Sequence, residues 1–382
     1  MKMRLNVASL VILGTMLGAL QAQGFETTAK NAILMDFDTG TYLFEKNIDE
    51  AVPPASMSKL MTVYILMNKI KDGSIKLTDT FTVSENAWRK GGAATGGSTM
   101  FLRIGDEVSV EDLIKGIVIQ SGNDACIVVA ENIAGSEEDF ARLMNETARN
   151  LGLLNSSFAN STGLPHPDQR MSVEDLAKLS QHIIREFPDL YHYFREKEFT
   201  YNNIKQGNRN PLLYSMKGAD GLKTGHTEEA GFCLNASAVK GDRRLIEVMS
   251  GMSSNKERSE EAERLMSWGF REFDNFKFFD KGQPIAKARV WYGKVPEVDL
   301  TVAEDVIKTI HLSKTDKVKV KAEFDEPVQA PIVAGQQLGQ LKIRVKGQNS
   351  MFVPLVAAQD VAEVGIFGRF WANIKYFILG AK

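Results

Sequence analysis

The sequence predicts an α+β protein in which helices pack on an antiparallel sheet, followed by a small all-β domain and a terminal helix. Three observations support this fold class. Predicted strands stand at both ends of residues 23–275 and enclose a group of helices, an order typical of α+β folds. Apolar residues in the region 276–357 recur with a period of two, which indicates strands. Residues 358–382 have an amphipathic, aromatic-rich helical pattern.

Length and composition indicate an ordinary globular protein of about two domains. The 382 residues are 43% hydrophobic and 25% charged. Lysine and arginine number 46 against 48 acidic residues, which gives a net charge of −2. Because there is no strong basic excess, we expect no nucleic-acid partner.

The first 22 residues have the pattern of an export signal. Lys2 and Arg4 precede an apolar run from Leu5 to Leu20, and Ala22 suits a cleavage site. The alternative is a membrane anchor, but the run is short and soon turns polar. We therefore expect a signal peptide at 1–22 and a periplasmic location.

The domain expected at 23–275 begins with a hairpin and a buried helix. Ala32–Phe37 and Tyr42–Glu45 have strand composition on either side of a turn. Lys59–Ile70 carries apolar residues at helical spacing, so Ser56 is expected in the first turn of that helix. The later predicted elements are a glycine-rich loop at 84–100, helices at 110–118, 123–133, 172–186 and 260–273, and a hairpin of strands 231–238 and 245–252.

Ser56 and Lys59 are a candidate nucleophile and base. A spacing of three residues places both side chains on one side of a helix. A serine hydroxyl needs a base to take its proton, and a lysine with a lowered pKa can be that base. The alternative is a helix-capping serine beside a solvated lysine, and the same pattern recurs at Ser253 and Lys256. The pair alone is therefore a weak signal.

Two further motifs follow in order, Ser121-Gly122-Asn123 and Lys223-Thr224-Gly225. Ser-x-x-Lys, Ser-x-Asn and Lys-Thr-Gly together are the motif set of β-lactamases and penicillin-binding proteins. Ser-x-Asn alone is uninformative, because residues 84–86 and 253–255 also match it. The ordered trio, with each motif at a loop, helix or strand junction, is specific.

The chain resembles the low-molecular-weight penicillin-binding proteins, the serine D-alanyl-D-alanine carboxypeptidases of bacterial cell walls. The resemblance covers essentially the whole chain and includes the segments 54–62, 120–125 and 220–227. It implies a transpeptidase/β-lactamase-like domain, an all-β sandwich domain at 276–357 and a membrane-anchoring helix at 358–382. Gly122 stands where β-lactamases usually have Asp, as it does in this carboxypeptidase group.

Each motif residue has an expected role beside this resemblance. Ser56 attacks the peptide carbonyl, and Lys59 takes its proton, with a pKa lowered by Lys223 and by the helix start. Ser121, hydrogen-bonded between two amines, passes a proton to the leaving amine. Asn123 orients Lys59 and holds the substrate amide.

The remaining candidates bind the substrate. The Lys-Thr-Gly strand can pair with an extended peptide, with Gly225 permitting a close approach. By resemblance, the backbone N–H groups of Ser56 and His226 hold the oxyanion, while the His226 side chain tunes the site. Thr224 and, by resemblance, Arg258 bind the free carboxylate. The alternative for Arg258 is a solvated helix start. No cofactor or metal is expected.

The expected function is removal of the terminal D-Ala from peptidoglycan stem peptides through an acyl-enzyme on Ser56. No Glu-x-x-x-Asn pattern follows Ser121, so we expect β-lactam antibiotics to act as covalent inhibitors that form long-lived acyl-enzymes. The alternatives are an endopeptidase that cuts cross-links and a non-catalytic muropeptide-binding scaffold. The intact trio argues against the scaffold.

The terminal helix is expected to lie in the membrane interface. Its apolar face carries Val364, Phe367, Phe370, Trp371, Ile374, Phe377 and Ile378. Arg369 and Lys375 interrupt the apolar run, so it is unsuited to span a bilayer. We expect peripheral binding to the outer face of the inner membrane. The alternative is a helix docked on the β domain.

Two cysteines and one isolated histidine complete the candidates. Cys126 and Cys233 both lie in apolar segments, and the sequence leaves open whether they form a disulfide or stay free. His311 stands alone in the β domain and is expected to be structural or exposed.

Overall fold

The computed structural model describes residues 24–379, without the side chains of 372–373 and 375–379. The predicted signal peptide therefore lies outside the described residues. The described chain divides into two compact units, one that extends to Arg271 and one that begins at Glu272. The boundary expected after residue 275 falls within a strand of the second unit, Phe273–Phe279.

A five-stranded antiparallel sheet is the centre of the first unit, in the order β2-β1-β9-β8-β7 among the described residues. Its strands are β1 (Asn31–Asp36), β2 (Tyr42–Lys46), β7 (Ala219–Thr227), β8 (Gly231–Lys240) and β9 (Arg243–Met252). Two two-stranded antiparallel sheets lie outside this sheet, formed by β3 (Thr80–Thr82) with β4 (Glu107–Ser109) and by β5 (Glu198–Tyr201) with β6 (Ile204–Gly207). The expected α+β class is confirmed, and β7 is an edge strand.

Helices surround this sheet. They are α1 (Lys59–Lys71), α2 (Glu85–Gly91), α3 (Val110–Val118), α4 (Asn123–Ala134), α5 (Glu137–Asn150), α6 (Val173–Glu186), α7 (Leu212–Ser215) and α8 (Asn255–Glu272). All residues from Lys59 to Met67 are buried, so α1 runs through the core. Ser172 caps the predicted helix α6, because its hydroxyl accepts a hydrogen bond from the Asp175 N–H.

Two helices differ from the sequence interpretation. The segment expected to be a glycine-rich loop contains α2, whose first turn is capped by the Ser84 hydroxyl. The cluster of glycines favoured a loop over the whole segment, and the short helix was therefore not predicted. Only the residues after the helix form a loop. Helix α5 was not predicted, although Ser136 caps it and three acidic residues follow in its first turn.

The second unit is an all-β domain with a terminal helix. Its strands are β10 (Phe273–Phe279), β11 (Ala286–Trp291), β12 (Glu297–Thr301), β13 (Val306–His311), β14 (Val318–Phe324), β15 (Val328–Gln329), β16 (Gln337–Val345) and β17 (Met351–Ala357). Six of them form a sheet in the order β14-β16-β17-β12-β11-β15, and β10 pairs with β13. The inward residues of both groups form one apolar core.

The terminal helix α9 spans Ile366–Leu379. Phe367, Phe370 and Trp371 are 85%, 60% and 67% exposed on successive turns. Arg369, which interrupts the apolar run, pairs with Glu363. Within residues 24–379, no helix has the length and apolar character needed to cross a bilayer.

Both cysteines are buried and free, so the disulfide left open by the sequence is absent from the described chain. His311 belongs to β13, where its ring contacts Phe273 and its Nδ1 accepts a hydrogen bond from the Ser313 N–H. These contacts are structural.

Candidate active site

Ser56 lies in a 3-10 turn, Ala55–Ser58, immediately before α1. Ala55 has a φ of 47°, in the left-handed region that residues with a Cβ rarely occupy. Neighbouring loops enclose this turn closely. A Cβ on Gly163 would lie 2.0 Å from the Ala55 carbonyl oxygen, and one on Gly225 would lie 3.3 Å from the Ser56 nitrogen. The position of Ser56 is therefore fixed from two sides.

Lys59 is fully buried and contacts the Ser56 hydroxyl. Its Nζ lies 3.0 Å from Ser56 Oγ, 2.8 Å from Asn123 Oδ1 and 2.5 Å from the Thr162 carbonyl oxygen. The last two groups are acceptors only. They fix two directions of the amine and leave its third direction aimed at Ser56. As expected, Asn123 orients Lys59, whereas the contact with Thr162 was not predicted.

Burial lowers the pKa of the Lys59 ammonium from 10.5 to about 8. The positive charge of Arg209 acts in the same direction. The sequence predicts Lys223 and the helix start as the causes of this shift, but loss of hydration is its main cause. With a pKa of about 8, about a tenth of Lys59 carries a free amine at neutral pH, far more than an ordinary lysine would.

Ser121 precedes α4 with a φ of 63°, again in the left-handed region. Its Oγ is buried and has no hydrogen-bond partner among the described residues. The expectation that two lysine amines hold this hydroxyl is therefore wrong for this structure. Burying a hydroxyl without a hydrogen-bond partner costs free energy. The Ser121 hydroxyl is therefore available to form a hydrogen bond with a bound substrate.

Asp124 fixes the loop beside Asn123. Its carboxylate accepts hydrogen bonds from the Thr99 hydroxyl and from the N–H groups of Met100 and Leu102, at 2.6, 2.8 and 3.1 Å. With its oxygens occupied in this way, Asp124 holds the loop in place and is not free to activate water. In the sequence, only its position inside the Gln-Ser-Gly-Asn-Asp-Ala segment indicated that Asp124 lies at the site.

The Lys-Thr-Gly motif lies on edge strand β7, against the turn that carries Ser56. Burial, together with the charge of Lys59, lowers the pKa of Lys223 well below its usual value. The close approach expected at Gly225 involves the protein itself, because a Cβ there would lie 3.0 Å from the Ala55 Cβ. Asp220, at the start of the motif segment, is held by Arg244 at 2.7 Å. Strand β7 and the turn that carries Ser56 are thus packed directly against each other.

Arg258 is a buried cation behind this strand. It lies inside α8 with 6% of its surface exposed, so the alternative of a solvated helix start is wrong. It contacts the Asn255 side chain, and its Nη1 lies 3.5 Å from the carbonyl oxygen of Cys233, the residue opposite Gly225 on β8. Burial lowers its pKa to about 10. Among the described residues, no carboxylate pairs with it.

An aromatic ring connects Arg258 to the exposed His226. The Phe232 ring centroid lies 4.0 Å from that of His226 and 5.8 Å from the Arg258 guanidinium carbon. Phe232 and His226 are also paired across β7 and β8. Contact with Phe232 therefore fixes the His226 side chain at the rim of the site.

Arg209 is a site residue that the sequence analysis missed. Its guanidinium donates to the Ser98 hydroxyl at 2.7 Å, and its charge acts on Lys59, Lys223 and Arg258. The flanking Asn208 and Asn210 bond backbone carbonyls and fix its loop. Buried asparagines on both sides of an arginine were a usable signal, because such side chains often fix irregular backbone.

Together these groups place an activated serine next to a cluster of four basic side chains, those of Lys59, Lys223, Arg209 and Arg258. A neutral Lys59 amine can take the Ser56 proton, so the chemistry is acyl transfer. The cluster favours a substrate that carries a carboxylate near the scissile bond. Within the part of the chain that the structure describes, no group of histidine, cysteine and acidic side chains could hold a metal.

Comparison with protein families gives two matches. Residues 18–254 match the model of the D-alanyl-D-alanine carboxypeptidase family, peptidase S11. Residues 273–363 match the model described as penicillin-binding protein 5, C-terminal domain. The two matches together extend over most of the chain.

Individual proteins give the same result. The chain is 43% identical to the D-alanyl-D-alanine carboxypeptidase DacC of Escherichia coli strain K12, over 90% of this chain and 86% of that protein. It is similar to the crystal structure of penicillin binding protein 5 from Haemophilus influenzae, with a TM-score of 0.83 and 38% identity over 90% of this chain and 100% of that one. Ampicillin-bound penicillin-binding protein D2 of Listeria monocytogenes matches 65% of this chain and 100% of its own, with a TM-score of 0.57 and 27% identity.

The packing at Gly225 predicts the outcome of a small substitution. Gly225→Ala should slow modification of Ser56 by a fluorescent penicillin, because the new methyl group displaces either β7 or the Ala55–Ser58 turn. We expect a reduction of about tenfold or more, since a displacement of about 1 Å can cost a hundredfold in rate. Gly207→Ala is the matched control, because a Cβ there has only ordinary contacts, the nearest at 3.7 Å. Equal labelling rates in the two variants would contradict this account.

Proposed function

The chain belongs to the D-alanyl-D-alanine carboxypeptidase family, the low-molecular-weight penicillin-binding proteins, and on this premise we propose that Ser56 is its nucleophile and Lys59 the base. It is a serine-type hydrolase that acts on peptides ending in D-Ala-D-Ala. The observation that supports these roles is the 3.0 Å contact between Lys59 Nζ and Ser56 Oγ, with the amine fixed by Asn123 and Thr162.

In the proposed acylation, the neutral Lys59 amine takes the proton as Ser56 Oγ bonds to the carbonyl carbon of the penultimate D-Ala. The carbonyl oxygen becomes an oxyanion that the N–H groups of Ser56 and His226 hold. The C–N bond then breaks: Ser121, which has no hydrogen-bond partner among the described residues, passes its proton to the departing amine and takes the proton held by Lys59, which leaves Lys59 neutral again. Water next attacks the ester carbonyl and gives a proton to Lys59. Lys59 returns that proton to Ser56 Oγ as its bond to the carbonyl carbon breaks, and the shortened peptide leaves with a new terminal carboxyl group.

Substrate binding is proposed along the edge strand. The stem peptide pairs with β7 as an added strand, since this edge has no neighbour among the described strands. Thr224 and Arg258 then receive the terminal carboxylate, and Lys223 and Asn123 contact the substrate near the bond that breaks. The unpaired charge of Arg258 supports this assignment, because a buried guanidinium favours a carboxylate partner.

This recognition favours carboxypeptidase over endopeptidase activity. An endopeptidase would face a cross-link whose leaving D-Ala is joined to the next stem, and the cation cluster would then receive no small, fixed carboxylate at its centre. A scaffold without catalysis would not need a lysine with a pKa of about 8 in contact with a serine. The same serine would be acylated by β-lactams, which the ampicillin-bound form of the similar penicillin-binding protein D2 supports.

Export and membrane association complete the proposal. Residues 1–22 would direct the chain to the periplasm. Helix α9 would bind the outer face of the inner membrane through Phe367, Phe370 and Trp371, which present exposed apolar area on one side. Its exposure argues against the alternative of a helix docked on the β domain.

Release of D-Ala from a pentapeptide tests the catalytic roles. Below a pH of about 8 the rate should rise about tenfold per pH unit, and above it the rate should level off. The sign follows from the need for a free amine on Lys59, whose fraction grows until the pH exceeds its pKa. Labelling by a fluorescent penicillin should show the same profile.

Ser56→Ala is the control for both measurements and should lose on the order of a thousandfold or more. Labelling that persists in Ser56→Ala would reject the nucleophile. A rate that does not change with pH on either side of about 8 would reject Lys59 as the base.

Arg258→Gln tests carboxylate recognition. We expect KM for a pentapeptide acid to rise about tenfold to about a hundredfold, because one charged hydrogen-bond partner is lost. A pentapeptide ending in an amide should be affected much less. Arg264→Gln, on the exposed side of the same helix, is the matched control. Equal losses on the acid and the amide would contradict the role of Arg258.

Vesicles of anionic lipid test the terminal helix. The double variant Phe367→Ser, Trp371→Ser should bind them at least about tenfold more weakly than the unchanged chain, since each aromatic side chain buries apolar area. Leu312→Ser with Val333→Ser removes two exposed apolar side chains elsewhere in the same unit and should leave binding unchanged. Similar losses in both double variants would contradict a specific role of α9.

A further inference from the structure

Four cations share the outward face of the β-domain sheet. Register pairs Lys319 with Arg344 and Lys321 with Lys342 across β14 and β16. Alternate residues of each strand point to one face, so all four side chains emerge together. Directly opposite residues lie about 5 Å apart between Cβ atoms. The result is a two-by-two array of positive charges.

Little negative charge neutralises this array. Glu323, one position further along the same face, pairs with Lys321 at 2.5 Å and also accepts from Gln340. Within residues 24–379, no carboxylate forms an ion pair with Lys319, Lys342 or Arg344, although the charge of Glu323 also acts on Lys342. Like charges directly opposite each other destabilise a sheet. Their presence here therefore needs a reason other than folding.

Protection of the sheet edge explains only half of the array. Lysines on an edge strand prevent pairing with other chains, and β14 is an edge strand of this sheet. Lys342 and Arg344, however, belong to β16, which lies between β14 and β17. An interior strand needs no such protection, so the charges on β16 point to a ligand.

An exposed aromatic ring extends the array. Phe352 on β17 lies opposite Lys342 in the register, is 53% exposed, and has the Lys342 Nζ 5.0 Å from its ring centroid. The ring offers a flat apolar surface of the kind that packs against the C–H face of a sugar. This face therefore combines groups for carboxylates with a platform for a carbohydrate ring.

We propose that Lys319, Lys321, Lys342, Arg344 and Phe352 form a second binding site, which holds the carboxylate-bearing glycan polymer of the cell wall. This inference rests on the proposed function, because that polymer carries the peptides on which the enzyme acts. Repeated sugars and stem-peptide carboxylates match the sheet face in chemistry and sign of charge. Binding there would keep the enzyme on the polymer between turnovers and raise the local concentration of peptide ends.

The test measures co-sedimentation of the full-length protein with purified, lipid-free cell-wall sacculi. The active site is first blocked with a penicillin, so that only a second site is measured. The test variant is Lys319→Gln, Lys342→Gln, Arg344→Gln. The matched control is Lys281→Gln, Lys287→Gln, Lys294→Gln, which likewise removes three positive charges from the same unit.

The test variant should bind sacculi about tenfold more weakly, as three exposed ion pairs are lost, while the control variant should bind normally. Blocking the sacculus carboxyl groups as amides should remove the difference between them. Phe352→Ala should weaken binding further, and Val333→Ala, at another exposed apolar position, should not.

Three outcomes would overturn the proposal: equal binding by the two triple variants, a difference that persists on amidated sacculi, or a loss seen only on anionic lipid vesicles. The last result would assign the face to a lipid surface. D-Ala release from a soluble pentapeptide is measured in parallel and should be unchanged in both triple variants. Absence of release by the unmodified protein would reject the proposed function, whereas sacculus binding reports on the second site alone.

Discussion

The buried amine of Lys59 is the constraint on which the rest of the site depends. An ammonium group loses its hydration when it is buried, and only fixed acceptors can replace those hydrogen bonds. Asn123 and Thr162 supply two of them, and Ser56 is the third partner. The helix start, the Ser-Gly-Asn segment and the loop at 160–165 must therefore meet at one point.

Positive charge is the second theme of the site. Lys223, Arg209 and Arg258 are gathered around Lys59, and among the described residues no carboxylate forms an ion pair with any of the four. The nearby Asp124 accepts hydrogen bonds from the loop at 99–102 instead. Such a cluster makes proton loss from each lysine easier and makes a carboxylate a favourable guest. The two effects are complementary, because the same positive charges that bind the substrate carboxylate also lower the pKa of the base, Lys59.

The sequence predicted the site more fully than its surroundings. Three short motifs in order identified Ser56, Lys59, Ser121, Asn123 and Lys223, because their chemistry restricts residue type and spacing. The Thr162 carbonyl was not predictable, since any residue can supply a backbone oxygen. Arg209 belongs to no motif, and only folding brings its loop to the lysines. The expected partners of the Ser121 hydroxyl were wrong because motif order carries no information on side-chain direction.

Two residues of the site, Ala55 beside the nucleophile and Ser121, have unusual backbone angles, and these angles bear on the evolution of this protein. Ala55 and Ser121 both hold left-handed φ values, at about 1 kcal/mol or more each relative to ordinary backbone. Glycine would relieve that strain but would also free the turn beside Ser56 and remove the hydroxyl of residue 121. Substitution of these two residues by glycine would thus raise thermal stability at positions where catalysis tolerates no change. Stability and turnover compete here at identifiable positions, and adaptation to higher temperature would have to proceed elsewhere in the chain.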